Sequence, residues 1–183
     1  MCRRTTINAG QSVAGGMPEA RVAEFGAALD DLGVTWGRTT PAAFADAVDG
    51  AIDRPAVGAP LPFESLSLAG TDVTVSPTPA QLRAATTGVT AAGLGIAEYG
   101  TVVIQSRPGG DEPVSLYPER HVAVLRRSDL VAGVPEAMEW LGGEFGAGCD
   151  SAVLATGPSA TADMGELVRG VHGPGTVHVL LVE

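Results

Sequence analysis

Between Pro18 and Leu32 the apolar residues Val22, Phe25, Leu29 and Leu32 recur at steps of three and four, the spacing of one helical face. Pro18 and Glu19 suit the start of that helix and Gly33 its end. Val34-Thr35-Trp36 predicts a short strand, and Thr40-Pro41 opens a second helix through Phe44 and Val48 that fades by Gly50 and Pro55. The Pro- and Gly-rich stretch 55–78 leaves room for two short extended pieces, near Ala56–Ala59 and Thr71–Val75. Ser76 to Leu82 predicts a proline-led third helix ending by Gly88, and the Ala/Gly-rich run Thr90 to Glu98 a short, tightly packed helix. Four apolar, β-branched runs predict strands: Thr101–Gln105, His121–Leu125, Ser151–Ala155 and Thr176–Val182. A helical stretch, Pro135–Leu141, lies between the second and third of these, and another, from Ala162 to about Arg169, between the third and fourth.

Buried-looking strands alternating with helices predict an α/β fold: a mostly parallel sheet with flanking helices. In such sheets ligands sit beyond the carboxyl ends of the strands, which is where chemistry is expected. Residues 1–16 show no periodicity and read as a flexible N-terminal tail, leaving 17–183 as one domain.

Composition narrows the partners. Of 183 residues, 21 are Asp or Glu and 11 are Lys or Arg, for a net charge of −10; every one of the 11 is Arg. A Lys-free acidic surface is what molar intracellular salt favours, since carboxylates hold water and cations while Lys exposes a long apolar stem. A GC-rich genome also trades Lys for Arg but does not explain the excess acid. No basic stripe is visible, so nucleic acid and anionic membranes are not expected as partners. No run of about 18 apolar residues predicts a membrane span, and no apolar segment follows Arg3 and Arg4 to make a signal peptide, so a cytoplasmic protein is expected. Cys2 and Cys149 are too few for an iron–sulfur cluster, which generally takes four ligands, and no metal pattern joins them to the three histidines. With no Lys a P-loop is excluded, and Glu98 stands where a G-x-G-x-x-G motif needs its third glycine.

Three segments carry candidate chemistry. In Ser151 to Asp163 a strand runs into Thr156-Gly157-Pro158-Ser159 and an expected helix start, where unpaired N–H groups favour an anion. Ser159 and Thr161 would add hydroxyls for a small carboxylate or phosphate. Equally, one of them simply caps the helix while Asp163 complements its dipole. His172, between Val171 and Gly173 on a glycine-rich loop, is either an acid–base group near neutral pH or an ordinary loop histidine. Glu98, beside the Gly100 turn and Thr101, is either a nucleophile or base, or one of 21 acids in an acidic chain. His121 and His178, inside strand patterns, read as structural or edge residues.

Gly93-Leu-Gly-Ile-Ala-Glu98-Tyr-Gly100-Thr101, Ser115-Leu-Tyr-Pro118-Glu-Arg-His121-Val-Ala-Val, Thr156-Gly-Pro-Ser-Ala-Thr-Ala-Asp163 and Gly170-Val-His172-Gly-Pro174 occur in that order. Four such phrases at this spacing resemble the LUD domain of LutC/YkgG-type lactate utilization proteins, from about Pro79 to Val182. The resemblance implies a NagB/RpiA/CoA-transferase-like α/β fold. It also implies a part in oxidising L-lactate to pyruvate beside LutA/LutB-like partners that carry the iron–sulfur clusters, with no cofactor on this chain. The positions that carry over are Glu98 and His172 as catalytic candidates, and Gly100, Thr101, Thr156, Gly157, Pro158, Ser159, Thr161, Asp163, Gly170 and Gly173 around a ligand or anion. Two departures stand out: Ala160 holds a position that is often Arg, and the stretch from Asp163 to Gly170 is one residue short, with Gly165 in place of a common acid. Beside the lactate role stand two alternatives, a non-catalytic organic-acid-binding or regulatory module and a self-sufficient enzyme on a sugar phosphate or acyl thioester.

Overall fold

The structure is a computed structural model that describes residues 19–107, 110–163 and 165–183; the tail read at 1–16 lies outside them. Six strands form an all-parallel sheet: β1 (Thr35–Thr39), β2 (Ala56–Gly58), β3 (Val73–Val75), β4 (Thr87–Ala91), β7 (Arg120–Arg126) and β12 (Thr176–Val182), in the order β1-β12-β7-β4-β2-β3. The expected architecture is therefore present. The runs His-Val-Ala-Val-Leu of β7 and Val-His-Val-Leu-Leu-Val of β12 sit at its centre, covered on both faces, as continuous apolar strands require.

A second sheet is mixed, in the order β8-β5-β6-β9: β5 (Leu94–Ile96), β6 (Thr101–Gln105), β8 (Leu130–Val131) and β9 (Ala152–Thr156). β6 is antiparallel to both β5 and β9. Two of the four expected strands thus belong to this sheet, not to the parallel one.

Alternation along the strands sorts the core into layers. Val122, Val124, Leu180 and Val182 point to one face of the parallel sheet, under helix α2 (Phe44–Ala51) and the 59–72 segment. His121, Ala123, Leu125, Val177, Val179 and Leu181 alternate to the other, where α1 (Glu19–Asp31) and the second sheet lie; all but His121 join their core. Val22, Phe25 and Leu29 of α1 are at most 1% exposed there, each worth ~1.5–3 kcal/mol of burial. The far face of the second sheet packs on α5 (Val134–Gly146) through Val103, Ala137 and Leu141. α5 is also tied to β6 by Gln105 Nε2 donating to the buried Glu144 carboxylate at 2.5 Å.

The short α3 (Pro79–Ala84) follows its proline start with a capping box: Gln81 N–H donates to Thr78 Oγ1, and Thr78 N–H to Gln81 Oε1. Gly88, expected to close that helix, instead lies in β4.

Two expected helices are corrected. Thr90 to Glu98 is the end of β4, then β5 and a 3₁₀ turn over Ala97–Tyr99. Its small residues reflect close strand contacts rather than helix propensity. A Cβ on Gly93 would stand 2.5 Å from Gln105 Oε1 of β6, and one on Gly95 2.5 Å from Leu125 of β7. The second correction is Ala162 to Arg169, where β10 (Ala160–Thr161) and β11 (Val168–Arg169) form an antiparallel pair. Gly165, at φ +105°, turns the chain there, and the exposed Leu167 and Val168 have no neighbour to bury a helical face against. One helix escaped the sequence pattern: α4 (Asp111–Leu116), a single short element held by Arg107 pairing bidentately with the buried Asp111.

Candidate functional site

β9 ends at Thr156, and Gly157-Pro158 turns the chain back toward the loop before β12. Ser159 then joins the two segments. Its N–H donates to the Pro174 carbonyl at 2.9 Å, and its own carbonyl accepts from Gly170 N–H at 3.0 Å. Its Oγ accepts from His172 N–H at 3.3 Å. Two phrases separated along the chain thereby become one wall.

Behind that wall lies a cavity of about 230 Å³ between the facing surfaces of the two sheets. Ile104 and Val153 come from the mixed sheet, His121 and Val177 from the parallel sheet, and Ser115 and Leu116 of α4 complete the enclosure. Of the expected site residues, Thr156, Gly157, Pro158, Ser159, His172 and Gly173 all border it. A wider hollow of about 370 Å³ continues from it past Leu116, His172 and Gly173, and is bordered by Glu119 and Gly170.

His121 and Val177 are the second residues of β7 and β12, so the cavity opens at the amino ends of the parallel strands. This is the opposite end from the carboxyl ends, where a site was expected. At the carboxyl ends Arg38, near the end of β1, and Arg127, after β7, both pair with Glu19 of α1 and with Glu183 after β12. Hydrogen bonds from Arg38 and Arg127 hold the Glu19 and Glu183 carboxyls below the usual range. Ion pairs thus occupy the carboxyl ends of β1, β7 and β12.

The other expected residues are placed apart. Thr101 Oγ1 and Thr156 Oγ1 share a hydrogen bond of 2.7 Å across the β6–β9 ladder. Alternation directs Thr101 away from the face that carries Ile104 and Val153, whereas Thr156, at the end of β9, still borders the cavity. Gly100 packs on α1, where a Cβ would lie 3.1 Å from Ala28 C and Leu29 N, and Gly157 meets Leu32 at the end of the same helix. Glu98 is exposed on the turn between β5 and β6, its N–H donating to the Ala132 carbonyl at 3.1 Å. Its carboxylate hydrogen-bonds Tyr99 and raises that phenol's pKa. Glu98 does not border the cavity that holds His172.

Thr161 donates to Asp163 at 2.9 Å on the exposed β10–β11 hairpin, so neither caps a helix, and the helix N-terminus expected to cradle an anion is absent. Ala160 faces Arg169 across that hairpin, and the Arg169 guanidinium reaches toward Gly33 at the end of α1. Among the described residues no group of three His, Cys, Asp or Glu side chains could hold a metal.

His121, read from sequence as structural, is the residue that pattern reasoning missed. It is 2% exposed, and its Nε2 lies 2.9 Å from Oγ1 of the fully buried Thr90. Burial pulls its pKa down to about 4, so the ring is neutral at physiological pH. Its place in the phrase from Ser115 was the available signal; its strand pattern alone said only that it was inward-facing. His178 differs: it pairs with Thr35 across β1 and β12 at 2.9 Å.

The LUD-domain model matches residues 63–182, which hold every residue that borders the cavity. A Lactate utilization protein C of Deinococcus radiodurans is 32% identical over 97% of this chain and 92% of its own length. The chain belongs to the LUD-domain family. Another relative of this LUD protein, Uncharacterized protein YkgG of Escherichia coli (strain K12), is 36% identical over 56% of this chain and 46% of its own. A crystal structure of a DUF162 family protein from Deinococcus radiodurans shares the LUD chain's fold. Its TM-score is 0.71 over 90% of this chain and 98% of that one, at 22% identity. Among the described residues of the LUD protein no helix is long and apolar enough to cross a membrane.

Proposed function

We propose that this LUD protein is a LutC-type component of a lactate utilization system, acting beside LutA/LutB-like iron–sulfur proteins that oxidise L-lactate to pyruvate. The observation that carries the reading is the match to a Lactate utilization protein C over nearly the whole of both chains. The gathering of the Thr156–Ser159 and Gly170–Pro174 phrases around one cavity supports it. In this reading the chain contacts its partners in the cytoplasm, and the electrons pass through clusters on those partners, since a cluster generally needs four protein ligands.

Deleting the gene in a strain with no other lactate route is expected to abolish growth on L-lactate and leave growth on pyruvate intact. Tagged protein drawn from lactate-grown cells in molar potassium chloride is expected to bring down cysteine-rich, iron-containing proteins. Undiminished growth on lactate, with recovery of the chain alone, would overturn the proposal.

A further inference from the structure

Lactate and pyruvate are poorly matched to the cavity behind Ser159, in size and in charge. A cavity of ~150 Å³ takes benzene, so about 230 Å³ is more than a molecule of six heavy atoms fills. The walls are mainly apolar, with Ile104, Leu116, Val153 and Val177 foremost. No Arg, Asp or Glu among the described residues borders it, and the chain has no Lys. A carboxylate placed there would lose its water and meet neither Arg nor Lys, with His172 at the rim as the one imidazole ring besides His121.

Two buried polar side chains, Ser115 and His121, border it; Ser115 spends its one proton on the Glu112 carbonyl, so the spare donor is on His121. Thr90 is 0% exposed, and the only acceptor its hydroxyl meets among the described residues is His121 Nε2. A buried hydroxyl proton needs an acceptor, so Thr90 donates to Nε2 and the ring carries its own proton on Nδ1. Nδ1 has no partner among the described residues. Yet no buried side-chain nitrogen or oxygen among them is left unsatisfied, so Nδ1 still touches open space, and the space that His121 borders is this cavity. A neutral ring thus presents an N–H donor from a wall that is otherwise mostly apolar. Its complement is an uncharged oxygen acceptor on an apolar body.

We propose that the cavity binds an uncharged carbonyl compound with an apolar body of roughly ten to fifteen heavy atoms, its carbonyl oxygen accepting from His121 Nδ1–H. The wider hollow bordered by Glu119 and His172 is the way in, and any polar end of the ligand rests there. The assignment does not depend on the lactate role proposed above, and failure of either leaves the other standing.

The test titrates the full chain with three probes: duroquinone, its oxygen-free counterpart durene, and L-lactate or pyruvate. Duroquinone is expected to bind roughly threefold to tenfold more tightly than durene, the worth of one hydrogen bond, and neither acid is expected to displace it. His121→Phe is expected to keep durene binding and lose the preference for duroquinone. If that variant does not fold, nitrogen-15 spectra of the wild-type ring decide, with the proton expected on Nδ1. Equal binding of the two ring compounds, no binding of either, displacement by lactate or pyruvate, or a proton on Nε2 would each overturn the proposal.

Discussion

Acid should loosen this protein through one buried ring. His121 is buried against Thr90 with its pKa drawn down to about 4, whereas an unfolded histidine titrates near the ordinary value of 6.5. As pH falls below 6.5 the unfolded chain takes up a proton that the folded chain refuses, so the unfolded state gains. The stability at stake is fully present above pH 6.5 and is lost progressively down to the folded pKa. At 1.36 kcal/mol for each unit, the full loss is about 3 kcal/mol below pH 4, and ~1.4 kcal/mol has gone by pH 5.5. For a chain of this length that is a fall of roughly 3–6 °C in Tm. Glu19 and Glu183, both with lowered pKa values, also lose stability as acid is added, as does His178, lowered chiefly by burial. The informative quantity is therefore a difference. Urea denaturation of wild type and His121→Gln, from pH 7.5 to 5.5, should show a steeper decline for wild type by that amount. Parallel curves would mean that the ring is hydrated or paired when folded, and would refute the reasoning.

Other outcomes follow from the same contacts. Asp111→Asn leaves the Arg107 guanidinium, itself largely buried, without its bidentate partner, and should cost ~3–5 kcal/mol in denaturant unfolding; a double replacement by Leu and Met should recover most of it. Gly100→Ala puts a side chain at φ +62° against the backbone of α1, a loss of at least ~1–2 kcal/mol, read by the same assay. The acidic, Lys-free surface should make Tm rise between low salt and molar potassium chloride. The exposed Arg38 and Arg127 pairs pull the other way, because screening at 1 M acts over ~3 Å. A Tm that falls with salt would refute the reading of the surface as adapted to brine.

Much of the fold could be read from periodicity. The face Val22, Phe25, Leu29 and the runs His121–Leu125 and Thr176–Val182 state their own structure, because a long buried element must be apolar at its own repeat. The mixed sheet could not be read this way. Its strand Leu94–Ile96 is three residues long and glycine-centred, and Gly95 is small because Leu125 and Leu130 crowd it from distant parts of the chain. The 162–169 stretch has helix-compatible residues, but helices of that length depend on packing, and Leu167 and Val168 have none.

The same division holds for the site. Composition and motif order alone determined the family, the net charge and most of the segments around the cavity, since these are properties of residues in sequence. Only the tertiary structure decided which of them meet. It placed Ser159 within reach of Gly170, His172 and Pro174, left Glu98 on a separate turn, and set the Arg38 and Arg127 ion pairs at the carboxyl ends of β1, β7 and β12. It also turned His121 from an inward strand residue into a buried donor on the wall of a cavity. Local pattern reports which face of an element is buried; what lies opposite that face depends on contacts between residues far apart in the chain, and no periodicity encodes them.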